Sequence, residues 1–154
     1  MSGKYIKHMA FAVRDAEAAL KHYQEFIGVG QDAELNDYQK SRNRVAIFDV
    51  GDVEYQLCQS LDAGGRFDKW INERGYEGLH HICYAVPDID ASLAEAQANG
   101  ATLKECVACG VKGSHPHPEG FVAFLEQEAG GIEIELMQVY TPEELEEYKA
   151  VKGI

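Results

Sequence analysis

Two histidines occupy the same position in a repeated segment of the sequence. His8 begins the run His-Met-Ala-Phe-Ala-Val-Arg-Asp, and His81 begins His-Ile-Cys-Tyr-Ala-Val-Pro-Asp, 73 residues later. A second repeat relates Gln56 to Glu135, within Glu-Tyr-Gln-Leu and Glu-Ile-Glu-Leu, at an offset of 79 residues. Two imidazoles and a carboxylate are good ligands for a first-row divalent metal ion, and an amide oxygen can be a fourth. These residues predict a metal site that leaves positions open for a substrate, as catalytic sites do.

A structural role is the alternative for each of these residues taken singly. One histidine in an apolar strand is more often a core or rim residue than a ligand. The recurrence of His8 and His81 at one motif position favours the metal site. Gln56 and Glu135 in otherwise apolar strands favour it too, because burying such groups is costly unless something satisfies them. His80 points to the other face of its strand from His81, so we do not expect it to be a ligand.

The repeat also dictates the architecture, since each half must fold in the same way. Each half consists of a strand with a histidine, a helix, further strands, and a strand with Gln or Glu, which predicts an α+β fold. We expect one domain over residues 1–140, with module one at about 5–60 and module two at about 78–139. Residues 141–154 are predicted to form an acidic helix. Strands are predicted at 5–13, 44–50, 53–59, 81–86, 102–107, 121–126 and 132–138, and helices at 15–27, 66–73, 88–99 and 142–151.

Composition excludes several partners. The formal net charge is −12, from 14 basic and 26 acidic residues, which argues against a nucleic-acid or anionic membrane surface. No apolar stretch is long enough to span a bilayer, and the four cysteines lack a disulfide-rich pattern, so we expect a reducing, cytoplasmic location. Cys106 and Cys109 form a Cys-x-x-Cys, but one such pair is weak evidence for zinc or redox chemistry, and a structural role is favoured.

Short segments carry a likeness to a known family. From residue 7 to 139 the chain resembles the vicinal oxygen chelate superfamily, which includes glyoxalase I, extradiol dioxygenases, fosfomycin-resistance proteins and methylmalonyl-CoA epimerase. The chain is most similar to the epimerase branch. The likeness rests on Phe67-Asp68-Lys69-Trp70-Ile71, Gly78-Leu79-His80-His81-Ile82, Val86-Pro87-Asp88-Ile89-Asp90 and Gly130-Gly131-Ile132-Glu133-Ile134-Glu135-Leu136.

This resemblance implies two βαβββ modules that form a cup-shaped mixed sheet, in a homodimer. It implies the metal ligands His8, Gln56, His81 and Glu135. The second ligand in chain order is a Gln, which favours the epimerases, because bacterial glyoxalase I has Glu at that position. The implied cofactor is one divalent ion (Co, Mn, Ni, Zn, Mg or Fe), which acts as a Lewis acid and stabilises an enolate. The implied substrate is a small carbonyl compound or an acyl thioester. The −12 charge counts slightly against the thioester.

The same resemblance implies the proton-transfer groups. Glu135 is expected to relay a proton as well as hold the metal. Ala46 stands where some epimerases carry a catalytic Glu, and Arg44, predicted on the same face, is a candidate to meet an anionic group of the substrate. Residues 113–120 depart from the Gly-rich stretch of the family, and His115 and His117 in this His-Pro-His-Pro loop are candidates for a replacement acid or base, or belong to a lid or a variable surface loop.

Three alternatives stay open. The first is a glyoxalase I-like lyase. The second is an iron-dependent dioxygenase in which His8, His81 and Glu135 form a facial triad and Gln56 stays unbound. The third is a non-catalytic small-molecule-binding protein of the same fold, although such proteins usually lack the ligands.

Overall fold

The structure is a computed structural model that describes residues 3–154. The chain divides into two compact units, one of residues 7–82 and one of residues 83–154 together with residues 3–6. No helix in the described part of the chain is long and apolar enough to cross a membrane.

The elements of the first unit are β1 (Tyr5–Ala12), α1 (Ala16–His22), a π-helical turn (Tyr23–Ile27), β2 (Glu34–Tyr38), β3 (Asn43–Val50), β4 (Val53–Ser60) and α2 (Arg66–Arg74), and residues 78–82 of the next strand also belong to it. Strand order is β2, β3, β4, β1, with β1 parallel to β4 and the other neighbours antiparallel. The Asp15 carboxylate caps the first helix by accepting a hydrogen bond from the Ala18 N–H, as Asp does at helix starts.

The second repeat follows the same plan. Its elements are β5 (Gly78–Ala85), of which residues 83–85 belong to the second unit, α3 (Ile89–Ala98), β6 (Leu103–Lys104), β7 (His115–Pro116), β8 (Gly120–Ala129), β9 (Ile132–Val139) and α4 (Pro142–Lys152). The end of β5 lies beside β9, the order continues to β8 and β6, and β7 pairs with β8. Asp88 caps α3, as Asp15 caps α1 in the first unit. The predicted α+β fold built from two βαβββ repeats is confirmed.

One predicted strand is much shorter than expected. Residues 102–107 were predicted as a strand, but β6 ends at Lys104. The chain then turns, because the Gly110 N–H donates to the Cys106 carbonyl over 2.8 Å. Gly110 has a φ of +68°, a conformation that glycine adopts without steric cost. The turn brings residues 105–119 back as a loop against β8.

The first unit has a separate apolar core on each face of its strands. On one face, Phe67, Trp70 and Ile71 of α2 cover small residues of β1 and β4 such as Ala10 and Cys58. On the other face, α1 packs against a different set of strand residues, which are Ala46, Phe48 and Leu57. Alternation of side chains along β3 separates the two sets.

The second unit also has two cores, but only one is covered by a helix. Ile89 and Leu93 of α3 pack on Ala123 and Leu125 of β8. The opposite face, which includes Val122 and Met137, is covered by loop residues 106–109 instead. This loop therefore covers the face that corresponds to the one under α2 in the first unit.

We expect Trp70→Ala to lower the free energy of unfolding by about 3–5 kcal/mol, because it removes the largest buried side chain of α2 and leaves a cavity. Lys69→Ala on the solvent side of the same helix is the control, since 70% of the Lys69 side chain is exposed, and we expect a change within about 0.5 kcal/mol. Urea denaturation measures both. Equal losses would show that α2 is not anchored through Trp70.

Candidate metal centre

The two repeated histidines meet through the same ring nitrogen. His8 on β1 and His81 on β5 are each 5% exposed, and their Nε2 atoms lie 3.4 Å apart. Two imidazole nitrogens bound to one ion at about 2.1 Å, with a tetrahedral angle between them, are separated by about 3.4 Å. The pair therefore has the spacing of two ligands of one metal ion.

His80 lies behind His81 and contacts its other nitrogen. The Nδ1 atoms of the two rings are 2.8 Å apart, and His80 is fully buried against Phe67 and Trp70 of α2. One of two nitrogens at this distance must carry the shared proton. When His81 carries it on Nδ1, its Nε2 presents a lone pair towards His8. Hydrogen bonding of this kind orients metal-binding histidines.

Glu54 connects His8 with Gln56. Strands β1 and β4 are in register with His8 opposite Glu54 and Ala10 opposite Gln56. The Gln56 Nε2 donates to Glu54 Oε2 over 2.8 Å, and the same Oε2 lies 3.9 Å from Nδ1 of His8. The amide nitrogen of Gln56 is used in this hydrogen bond, so its Oε1 is the atom suited to a metal ion. Glu54 thus helps to orient the Gln56 amide, with its carboxylate close to His8.

Glu135 and Glu133 lie on one face of β9 in the second unit. Both carboxylates are buried, with Glu135 4% exposed, and Glu135 is opposite Phe124 of β8. Glu133 forms an ion pair of 2.8 Å with Lys104 of β6, which offsets the cost of burying its charge. Glu135 is the residue that corresponds to Gln56 in the repeat.

Ala46 does not share a face with the predicted ligands of the first unit, in contrast to the expectation from the sequence. It is fully buried in the core under α1, and its partner on β4 is Leu57. Directly paired strand residues share a face, so the residue of β3 beside Gln56 is Ile47, which pairs with it. A carboxylate at position 46 would enter an apolar core.

Arg44 is already paired within the first unit. Its guanidinium donates to both carboxylate oxygens of Asp37 on β2, over 2.7 and 3.1 Å. These hydrogen bonds are the main reason why the pKa of Asp37 is lowered, and the positive charge of Arg44 lowers it further. The interaction leaves Arg44 a poorer candidate for an anionic group of the substrate than the sequence indicates.

The loop histidines lie next to the Cys-x-x-Cys pair. His115 and His117 are brought together with Cys106 and Cys109, and one donor atom from each residue lies within 4.8 Å of all the others. The sequence predicts separate roles for the two pairs, and their convergence is missed there. The pattern that indicates it is Cys-x-x-Cys followed by His-x-His within residues 106–117.

Comparison with known proteins supports the family. The profile of the glyoxalase/bleomycin resistance protein/dioxygenase superfamily matches residues 7–121. An ethylmalonyl-CoA/methylmalonyl-CoA epimerase of Cereibacter sphaeroides is 29% identical over 137 residues, which cover 87% of this chain and 97% of the relative. The chain belongs to the glyoxalase/bleomycin resistance protein/dioxygenase superfamily, and this relative is an epimerase of acyl-CoA thioesters.

Solved structures of epimerases have the same fold. Methylmalonyl-CoA epimerase from Mycobacterium tuberculosis is similar with a TM-score of 0.69 at 22% identity, over 88% of each chain. A variant of the Streptomyces coelicolor methylmalonyl-CoA epimerase in complex with 2-nitronate-propionyl-CoA is similar with a TM-score of 0.64 at 21% identity, over 88% of this chain and 97% of that one.

We expect Ala46→Glu to lower the free energy of unfolding by at least about 4 kcal/mol, because it buries an unpaired charge in the core under α1. Ile47→Glu is the matched control one residue further, on the Gln56 face, and we expect it to cost less than half as much. Urea denaturation of both variants measures the difference. A stable Ala46→Glu protein with increased metal affinity would show that position 46 faces the metal.

Proposed function

We propose that this protein is a divalent-metal-dependent epimerase of acyl-CoA thioesters that carry an acidic hydrogen between two carbonyl groups, such as methylmalonyl-CoA or ethylmalonyl-CoA. The observation that carries the proposal is the 3.4 Å separation of the His8 and His81 Nε2 atoms. The epimerase relatives support the substrate class. The predicted homodimer and cytoplasmic location stay predictions.

The proposed ligands are Nε2 of His8 and His81, Oε1 of Gln56 and a carboxylate oxygen of Glu135. The neighbouring groups fit this assignment, since His80 contacts Nδ1 of His81, and Glu54 contacts Gln56 and lies near His8. Glu135 is included because it is buried and matches Gln56 in the repeat. A bound divalent ion supplies a Lewis acid, which lowers the energy of the enolate formed at the thioester carbonyl.

Proton transfer is the task of the protein's own side chains. We assign the removal of the acidic hydrogen to Glu135, because it is a buried carboxylate. It lies on β9, the strand that corresponds to β4 in the second repeat. Strand β3 has no carboxylate opposite Gln56, because Ile47 is there. Return of the proton by His115 or His117 stays a prediction from the sequence. A histidine that binds a structural metal ion, as proposed in the next subsection, is not available for that role.

We expect His81→Ala to lose the bound divalent ion and to slow exchange of the acidic hydrogen of methylmalonyl-CoA by at least about 100-fold. His22→Ala, on the exposed side of α1, is the control and keeps both properties. Elemental analysis and deuterium uptake from D2O, followed by NMR, measure the two effects.

The same samples distinguish the other functions of the family. Oxygen uptake by iron-loaded protein, without hydrogen exchange, would contradict the epimerase and support a dioxygenase. Turnover of a hemithioacetal would support a glyoxalase I-like lyase. Metal binding without hydrogen exchange in methylmalonyl-CoA or ethylmalonyl-CoA, without oxygen uptake and without hemithioacetal turnover would contradict the epimerase and support a non-catalytic binding protein.

His80 is expected to act through His81. We expect His80→Phe, which keeps an aromatic ring between Phe67 and Trp70, to weaken metal binding by about 10–100-fold through loss of the hydrogen bond to His81. Cobalt titration measures the affinity, and thermal unfolding in the absence of metal controls for stability. Unchanged affinity in a folded variant would remove His80 from the metal centre.

A further inference from the structure

The loop between β6 and β8 contains a second set of ligand-type side chains. We propose that Cys106, Cys109, His115 and His117 bind one zinc ion in a closed, structural Cys2His2 site. This proposal does not depend on the proposed function, because none of its four residues is among the proposed ligands of the metal centre of His8 and His81.

The distances agree with tetrahedral zinc. Nε2 of His117 lies 3.2 Å from Nε2 of His115, 3.4 Å from Sγ of Cys109 and 3.6 Å from Sγ of Cys106. Zinc–sulfur bonds of about 2.3 Å and zinc–nitrogen bonds of about 2.05 Å in a regular tetrahedron separate two nitrogens by about 3.3 Å and a nitrogen from a sulfur by about 3.6 Å. Each of the three observed distances is within a few tenths of an ångström of these values.

A hydrogen-bond network alone does not explain this convergence. Nε2 of a neutral histidine has either one proton or one lone pair, yet Nε2 of His117 faces one nitrogen and two sulfur atoms at once. A cation at the centre satisfies all four donor atoms together. The four side chains also lie at the inner side of the loop, where Cys106 and His115 are buried and the other two are half-buried.

The turn around Cys106 directs backbone N–H groups towards its sulfur. The N–H groups of Cys109 and Ala108 form hydrogen bonds with the Cys106 Sγ. Hydrogen bonds to a thiolate stabilise the charged form, and zinc binds the thiolate rather than the thiol. The turn that places these groups is closed by the Gly110 N–H on the Cys106 carbonyl.

His115 is held in the orientation that a ligand needs. Its Nδ1 is 2.8 Å from the Gly113 carbonyl, so Nδ1 carries the proton and Nε2 presents its lone pair to the cluster. Side chains two apart in an extended strand point to the same side, and Pro116 between His115 and His117 restricts the backbone. Both imidazoles are therefore directed to one point.

The loop needs this support because its own apolar contacts are few. In the first unit, α2 covers the equivalent face with three large buried side chains. The loop contributes only Cys106, Ala108 and Cys109 to the core, whereas Val107 and Val111 are 59% and 40% exposed. Four protein ligands leave no position for a substrate, which is the property of a structural zinc site. Two sulfur and two nitrogen donors favour zinc.

Cobalt titration of reduced protein tests the site, because tetrahedral cobalt with thiolate ligands has intense visible absorption and a sulfur-to-cobalt charge-transfer band. Three proteins are compared: wild type, a His8→Ala/His81→Ala variant without the other proposed centre, and a Cys106→Ser/Cys109→Ser variant. We expect the thiolate spectrum, with one equivalent of cobalt displaced by one of zinc, in the first two proteins. In the cysteine variant that spectrum is lost.

Thermal unfolding with and without zinc is the second measurement. We expect zinc to raise the Tm of the His8→Ala/His81→Ala variant by several degrees, and removal of zinc by a chelator to reverse the rise. The proposal would be overturned if the thiolate spectrum were absent from both wild type and the His8→Ala/His81→Ala variant. That test does not require the cysteine variant to fold. A spectrum that persists in a folded cysteine variant would overturn it as well.

Discussion

The alternation of side chains along the strands is the constraint on which the rest of the structure depends. In the first unit, one face of β1 and β4 carries His8 and Gln56, and the same face carries Ala10 opposite Gln56 and Cys58 beyond it. The polar residues and the core under α2 thus share a face, while the core under α1 uses the other. A shift of one residue in the register would exchange the two faces and expose apolar residues while burying polar ones.

The face that carries the polar residues must also be covered, and the two units achieve this in different ways. In the first unit α2 supplies Phe67, Trp70 and Ile71, and hydrophobic burial is sufficient. In the second unit a loop without a helix lies on the equivalent core, and fixing the backbone of a loop costs conformational entropy at every residue. Four ligand-type side chains are concentrated at this point. A crosslink by a metal ion offsets that entropy where apolar contacts are few.

Much of the fold was predictable because the sequence is repeated. The order of the main elements and the helix caps follow from local patterns, and the structure agrees with them, whereas the strand predicted at 102–107 is reduced to Leu103–Lys104. The face of Ala46 was predictable too, because a two-residue turn at Gly51 and Asp52 pairs Val50 with Val53 and therefore Ile47 with Gln56. The family resemblance places position 46 among the site residues, whereas this register places it in the core under α1. The Cys-x-x-Cys and His-x-His spacing indicates that the Cys and His pairs meet, but it does not specify the pairing of β7 with β8 that brings them together.

The two sets of ligand-type residues differ in chemistry, and this difference separates their roles. His8, Gln56, His81 and the proposed ligand Glu135 offer nitrogen and oxygen donors, whereas the loop offers two sulfurs and two nitrogens. Thiolates are soft donors that select zinc, while carboxylate and amide oxygens also suit manganese and magnesium. Zinc would therefore occupy the loop in preference to harder ions. An open centre with oxygen donors keeps coordination positions for a carbonyl oxygen, and the closed sulfur site has none. One small fold can thus hold a metal for chemistry and another for stability, provided that each donor set selects its own ion.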